Sequence, residues 1–440
     1  MDVATAYLRG DQPRARWKRL DTAQILKRFF FCERSVIVNA SRWIPHLSRL
    51  EVKVGIPLLC WQNAETANAL RQRVFELRFP NRLMEHEGAD KPLADVLSLL
   101  GVAPSERAFV EALANVVLPA LRDAYSEFLT CSDPLADAPT YRFLELSVRE
   151  KDQQIATLRR NLTEMQPVDA EAGTDKHWVD GFNEQLQALG GIPTDRSPDS
   201  RVLIAPPGSS SRGVPDRPAR DARYWSCRFY WPDIICPDFP YGTGLRLQLR
   251  SAVSHLNEIW AVEHGGIILS EFADVLPWEW IYDAARWTYD ESRHCLMGKM
   301  RLEAWGFSPH EIPLGTYIYE SAKAGAAIDR LGMLYFFETK NIGRKPERAA
   351  AFKEIGDAVS EHDMDFDWAD ETIHASYGNR WLRVLHELDN QRYPGAEEVR
   401  QRCERMVAEM IASASEEERN AITKQAEHLI ARATQLTNSQ

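Results

Sequence analysis

Two copies of one short pattern, 80 residues apart, constrain this chain more than anything else in it. They are Asp290-Glu291-Ser292-Arg293-His294 and Asp370-Glu371-Thr372-Ile373-His374. Each lies inside a long run of helix-forming sequence. On a helix, side chains three and four residues apart share a face. Glu291 and His294 therefore project together, with Asp290 one turn from His294, and the second copy repeats the arrangement. A carboxylate and an imidazole from each of two helices make up half of a carboxylate-bridged dinuclear metal site. The other half is one lone Glu from each of two further helices.

Both further helices are predicted. Residues 245–272 form a helical stretch whose apolar stripe, Leu256, Trp260 and Ile267, is interrupted by Glu263. Residues 317–341 carry Ala324, Ala327, Leu331 and Leu334 on a stripe that runs into Glu338. Gly343 then stops that helix, and Pro346 suits the first turn of the next. The candidate ligands thus run Glu263, Glu291 and His294, Glu338, Glu371 and His374. Four buried carboxylates would each cost many kcal/mol as isolated ions, whereas two divalent cations would balance them. Asp290 and Asp370, each four residues before a His, are placed to accept the distal imidazole N–H and fix its tautomer. Asp367, one turn before Glu371, reads as a further oxygen donor, a proton relay or a surface acid. Carboxylate oxygens mixed with imidazole suit iron or manganese, while a structural zinc site favours cysteine. Trp287, Tyr335 and Tyr377 would wall the site or simply pack the core. Gly265 and Gly266 leave either room beside the metals or space for close helix packing.

The motif Asp370-Glu-x-x-His374 followed by Tyr377-Gly378-Asn379-Arg380-Trp381 resembles the closing helix of a ferritin-like family catalogued as domain of unknown function 455. Asp290-Glu-Ser-Arg-His294 resembles that family's second helix. More distantly, the pattern is similar to the ferritin-like enzymes that hydroxylate modified tRNA bases. The resemblance covers about residues 245–390, roughly a third of the chain. It implies Glu263, Glu291, His294, Glu338, Glu371 and His374 as metal ligands and as the catalytic set.

At 440 residues, two or three domains are expected. The fold class expected is all-α: two fused ferritin-like four-helix bundles joined by a Pro/Ser-rich linker, followed by C-terminal helices. Residues 1–20 would be an arm and 21–165 a degenerate bundle without a metal site. Residues 166–244 would be a linker and aromatic strap, 245–390 the di-metal domain, and 391–440 a helical tail for packing or dimerisation. The first bundle is expected because Glu33, Glu65, Glu127 and Glu150 repeat the order of the second-half glutamates. Asn68 and Gln153, however, stand where histidines would be. Residues 192–222, rich in Pro, Ser, Gly and Arg, read as flexible. Residues 224–241 read as an ordered aromatic strap over an apolar helix face.

No run of 18 apolar residues exists, so no membrane span is expected, and the first residues lack an apolar signal core, which implies the cytoplasm. Seven cysteines without paired spacing imply reduced thiols. Net charge −11 argues against a nucleic-acid partner. The function expected is that of a non-haem oxidase or oxygenase. It would hold two Fe ions (Fe/Fe, with Mn/Fe as the variant), use dioxygen as co-substrate, and act on a small organic molecule. An external electron donor and a homodimer are compatible with it. The alternatives are a ferroxidase-like metal protein without an organic substrate, and a scaffold whose metal site is structural.

Overall fold

Helix boundaries fall where local chemistry sets them. Proline occupies the first turn of four helices, where its missing N–H costs nothing. Gly244, at φ 57°, turns the chain into a helix. The Asp357 side chain accepts the Ser360 N–H and caps another. The computed structural model describes residues 14–165, 172–199 and 203–438. It is 74% helical and 1% strand, so the fold is all-α, built of helical bundles. Residues 1–13 of the expected arm, 166–171 and 200–202 of the expected linker and 439–440 of the expected tail lie outside the described residues.

The chain divides into two compact units that it visits alternately. One comprises residues 1–35, 65–99 and 107–209, the other 36–64, 100–106 and 210–440. The passages between them at residues 35/36 and 64/65 fall inside two helices, α1 (Arg19–Trp43) and α2 (Leu50–Glu76), not at a linker.

The first unit holds residues 19–35 of α1 and 65–76 of α2 together with α3 (Asn81–Met84), α4 (Lys91–Ser98), all but the first residue of α5 (Glu106–Ala112), α6 (Leu118–Cys131), α7 (Ala138–Glu164) and α8 (Ala172–Ala188). Of its four expected glutamates, Glu33 alone is fully buried; Glu65 and Glu127 are exposed. The Lys151 ammonium lies 2.7 Å from Glu33 and the Tyr125 hydroxyl donates to it at 2.6 Å. A lysine thus balances this buried glutamate, as a charge in that position requires.

The second unit contains α9 (Leu245–Asn257), α10 (Ile259–Phe272), α11 (Trp278–Ala304), α12 (Tyr317–Ser321), α13 (Ala327–Asn341), α14 (Lys345–Glu354), α15 (Ala358–Leu388), α16 (Ala396–Ala412) and α17 (Glu416–Asn438). The α9–α10 pair packs on α11, α13 packs on α10 and α15, and α15 packs on α11, closing a four-helix arrangement. In the tail, α16 covers α13 and α17 covers α9, so both helices pack within the chain. The aromatic strap is ordered: Tyr224, Phe229, Tyr230 and Trp231 are buried, and the rings of Phe229 and Tyr230 lie 5.3 and 5.8 Å from Tyr317. Its one strand pairing is two residues long, Trp225 with Pro313 and Ser226 with Leu314.

The flexible reading of residues 192–222 does not hold for the part belonging to this unit. Asp221 is buried, accepts the Leu50 N–H that opens α2, and pairs with Arg223. Arg220 reaches into the core. All seven cysteines are free thiols. No described helix is long and apolar enough to cross a membrane.

Candidate metal centre

Four stretches of the second unit deliver carboxylates and imidazoles to one buried locus. The junction of α9 and α10 supplies Glu258, α11 supplies Glu291 and His294, α13 supplies Glu338, and α15 supplies Asp367 and His374; Glu371, also on α15, is buried but is held by Lys345 and belongs to neither His-centred group. His294 Nδ1 lies 3.2 Å from Glu258 and 3.6 Å from Glu291. His374 Nδ1 lies 3.2 Å from Glu291 and 3.5 Å from Glu338. Glu291 therefore stands between two ligand groups, Glu258–Glu291–His294 and Glu291–Glu338–His374, each with its donor atoms within 4.8 Å of one another. Oxygen and nitrogen ligands about 2.0–2.2 Å from a common ion stand roughly 3 Å apart, which these spacings approach.

The two histidines are oriented by aspartates from opposite helices. His294 Nε2 donates to Asp370 at 3.3 Å, and His374 Nε2 donates to Asp290 at 3.4 Å. The expected partnership within each motif is therefore exchanged. Each aspartate serves the His of the other copy, because α11 and α15 face each other across the site while a helical Asp and the His four residues on run parallel. Arg286 and Arg293 neutralise both aspartates: Arg286 lies 2.7 Å from Asp290, and Arg293 lies 2.9 Å from Asp370. The Trp287 indole N–H is shared between Glu291 at 3.1 Å and Glu338 at 3.2 Å, and its ring stacks on His374. Trp287 is thus a wall of the site. Tyr335 packs instead on Gly378, and Tyr377 lies 6.2 Å from Trp287. The Lys345 ammonium is 2.6 Å from Glu371 and also contacts Asp367.

Charge decides what this arrangement can hold. With every acid ionised and both histidines neutral, Glu258, Glu291, Glu338, Asp367 and Glu371 would face one buried lysine, Lys345, and leave four negative charges to be balanced. Protons respond accordingly. Burial lowers the affinity of His294 and His374 for a proton, yet the surrounding carboxylates raise both well above the ordinary histidine value. Burial and neighbouring carboxylates push Glu371 well up and Glu338 up to about 7. Burial would raise Asp367 too, but Lys345, His294 and His255 hold it well below the carboxylate range. The fit to a dinuclear centre is tested by atoms without hydrogen-bond partners. Glu258 Oε2, His294 Nδ1, Asp367 Oδ1, Glu371 Oε2 and His374 Nδ1 are all buried and all unpartnered. Unsatisfied buried acceptors are costly, and two divalent cations would satisfy these five atoms and cancel the four charges together.

Glu263 is not among the residues brought together. It is fully buried, but Lys53 holds it at 2.5 Å and Arg220 clamps both its oxygens. Burial drops the Lys53 ammonium to about 8, with Glu263 opposing the fall. The physical reason is rotation: Glu263 is five residues beyond Glu258, nearly half a turn around the helix. The missed ligand had a signal. Glu258 precedes Glu338 by 80 residues, the same offset that relates Glu291 to Glu371 and His294 to His374. Lys345 carried no such signal, because a lysine opening a helix reads as solvated. The two glycines after Glu263 serve packing, not space. A Cβ on Gly265 would meet Thr288 Oγ1 at 2.4 Å, and one on Gly266 the Ser41 carbonyl at 2.6 Å. Glu263→Ala is accordingly expected to leave metal content unchanged while costing about 3–5 kcal/mol through the stranded Lys53. Metal analysis and a denaturant midpoint check this; a folded variant depleted of metal would return Glu263 to the ligand set.

Residues 238–425 match the model of a family described as "Protein of unknown function (DUF455)", a span that includes every residue of the centre. No curated protein and no solved structure matches the chain.

Proposed function

We propose that this chain is a non-haem di-metal oxidase or oxygenase of the ferritin-like kind. In this reading Glu258, Glu291, His294, Glu338, Glu371 and His374 hold two iron ions, or one manganese and one iron. The observation that carries it is the pair of buried ligand groups sharing Glu291, in a cluster where five side-chain atoms have no hydrogen-bond partner and one lysine faces five carboxylates. When bound, such a pair supplies two-electron reduction of dioxygen for oxidation of a small organic substrate.

The remaining work belongs to the chain. Asp290 and Asp370 fix both imidazoles with Nδ1 toward the centre. Trp287 ties Glu291 to Glu338 across two helices. Burial of every one of these side chains except Glu258 to below a tenth of its surface excludes bulk water. The strap and the tail helices add architecture that a storage cage does not need, which favours an organic substrate over iron storage.

The test is metal analysis of full-length protein from iron-supplemented cells, followed by oxygen uptake. About two ions per chain and uptake that depends on an organic substrate are expected. Uptake driven by excess Fe(II) alone would make the protein a ferroxidase, and fewer than one ion per chain would remove the reading.

A further inference from the structure

The 80-residue repeat that relates the acids and histidines of the centre is broken where Trp287 and Asp367 stand. Glu258 corresponds to Glu338, Asp290 to Asp370, Glu291 to Glu371 and His294 to His374, but Trp287 corresponds to Asp367. Both residues lie one turn before a motif glutamate. Trp287 donates to Glu291 and Glu338 on the His374 side. At the matching place on the His294 side stands a carboxylate with nothing to donate.

Asp367 is fully buried and its two oxygens have different surroundings. Oδ2 is saturated. The Lys345 ammonium donates to it, and His255 Nε2 lies 3.0 Å away. The tautomer of His255 follows from Arg301, whose guanidinium has only donors and reaches His255 Nδ1 at 2.5 Å. Nδ1 therefore accepts, Nε2 carries the hydrogen, and His255 donates to Asp367. This removes His255 as a metal ligand, although it lies within reach of Glu258 and Asp367. Oδ1, by contrast, has no hydrogen-bond partner and lies 3.6 Å from His294 Nδ1. That nitrogen is unpartnered too, and 3.2 Å from it lies the unpartnered Oε2 of Glu258. Two buried carboxylate oxygens and this nitrogen close on one another, an arrangement that repels unless a proton or a metal cation stands among them.

We propose that Asp367 is a seventh protein ligand, to the ion on the His294 side only, so that the two positions of the centre bind metal unequally. Lys345 and the Arg301–His255 pair are positioning residues that tie one oxygen of Asp367 and aim the other inward. The inference rests on the dinuclear reading above and goes beyond it. The His294-side position gains a third carboxylate beside Glu258 and Glu291, while the His374-side position has an indole in its place. Hard, oxygen-rich surroundings favour Mn(II) and Fe(II), so the His294-side ion is the tighter of the two.

The probe is Mn(II), titrated into chelator-stripped, full-length protein and followed by the electron paramagnetic resonance signal of the free ion. Wild type is expected to take up two ions with distinct affinities. Asp367→Asn is expected to weaken one of them at least about tenfold, and Asp367→Asn combined with Lys345→Met to show the same single weakened position. The double variant removes one buried charge of each sign, so it remains informative where the single variant fails to fold. If Asp367 serves only as the counter-ion of Lys345, the double variant regains both positions at wild-type affinity, and the proposal is wrong. Two equal positions in wild type, or an unaltered Asp367→Asn, would also overturn it while leaving the dinuclear reading intact. No Mn(II) uptake by wild type would overturn both.

Discussion

His294→Ala is expected to lose at least one metal ion per chain and to lower metal-dependent oxygen uptake by more than about 100-fold. The side chain is fully buried, supplies Nδ1 to the Glu258–Glu291 group, and occupies Asp370 through Nε2. Its removal leaves two unpartnered carboxylate oxygens facing a void, with no nitrogen to complete the position. The loss should also show in stability. A ligand that binds only the folded state at 100 times its Kd adds about 2.7 kcal/mol, and that increment should shrink in the variant, while the metal-free proteins differ far less. Calorimetry with and without Fe(II) or Mn(II), alongside metal analysis, measures both. A variant that keeps two ions and full oxygen uptake would remove His294 from the centre.

Stripping the metal should reverse how the protein responds to pH. His294 and His374 bind protons more tightly in the folded chain than in the unfolded one. Their stabilising contribution is therefore complete below about 6.5, the ordinary histidine value, and is lost as pH rises through the higher folded values. Glu338, at about 7, and Glu371, raised well above the ordinary value, act with the same sign from about 4.3 upward. The acids whose protons are held loosely, Glu291 and Asp367, are already ionised in both states over this range and contribute no slope. The metal-free protein should thus lose stability as pH rises above about 6.5. The slope is about 1.4 kcal/mol per pH unit for each group still protonated when folded.

Metal binding requires the same groups in their deprotonated forms, so affinity should rise over the same interval. Loading near pH 6.5 should release protons from His294, His374, Glu338 and Glu371. Titration calorimetry in buffers of different ionisation enthalpy counts them. Metal-free protein that melts higher at pH 8.5 than at 6.5, or loading that releases no protons, would contradict this account of the core.

Much of the fold was legible locally. Gly343 and Pro346 mark the stop of α13 and the start of α14 as expected, and the two Asp-Glu-x-x-His motifs lie on α11 and α15 with Glu and His facing inward. Glu338 emerges from its apolar stripe into the centre. What failed was the choice between two acids on one helical run. Glu263 interrupts a stripe and is buried, as predicted, yet its partners are Lys53 and Arg220, 210 and 43 residues away. Glu258 sits at the break between α9 and α10, where no stripe marks it, and only the internal offset of 80 residues betrays it.

By itself, the sequence determined periodicity and charge: an all-α chain whose C-terminal helices carry more inward acids than their apolar faces can tolerate. Tertiary structure alone decided how those acids are neutralised. Glu33 is answered by Lys151 and Glu263 by Lys53 and Arg220, while the cluster around Glu291 sets five carboxylates against one buried lysine. The reason is range. Helical periodicity acts over three and four residues and is written in the chain, whereas a buried carboxylate takes whatever cation the packing of distant helices brings within about 3 Å.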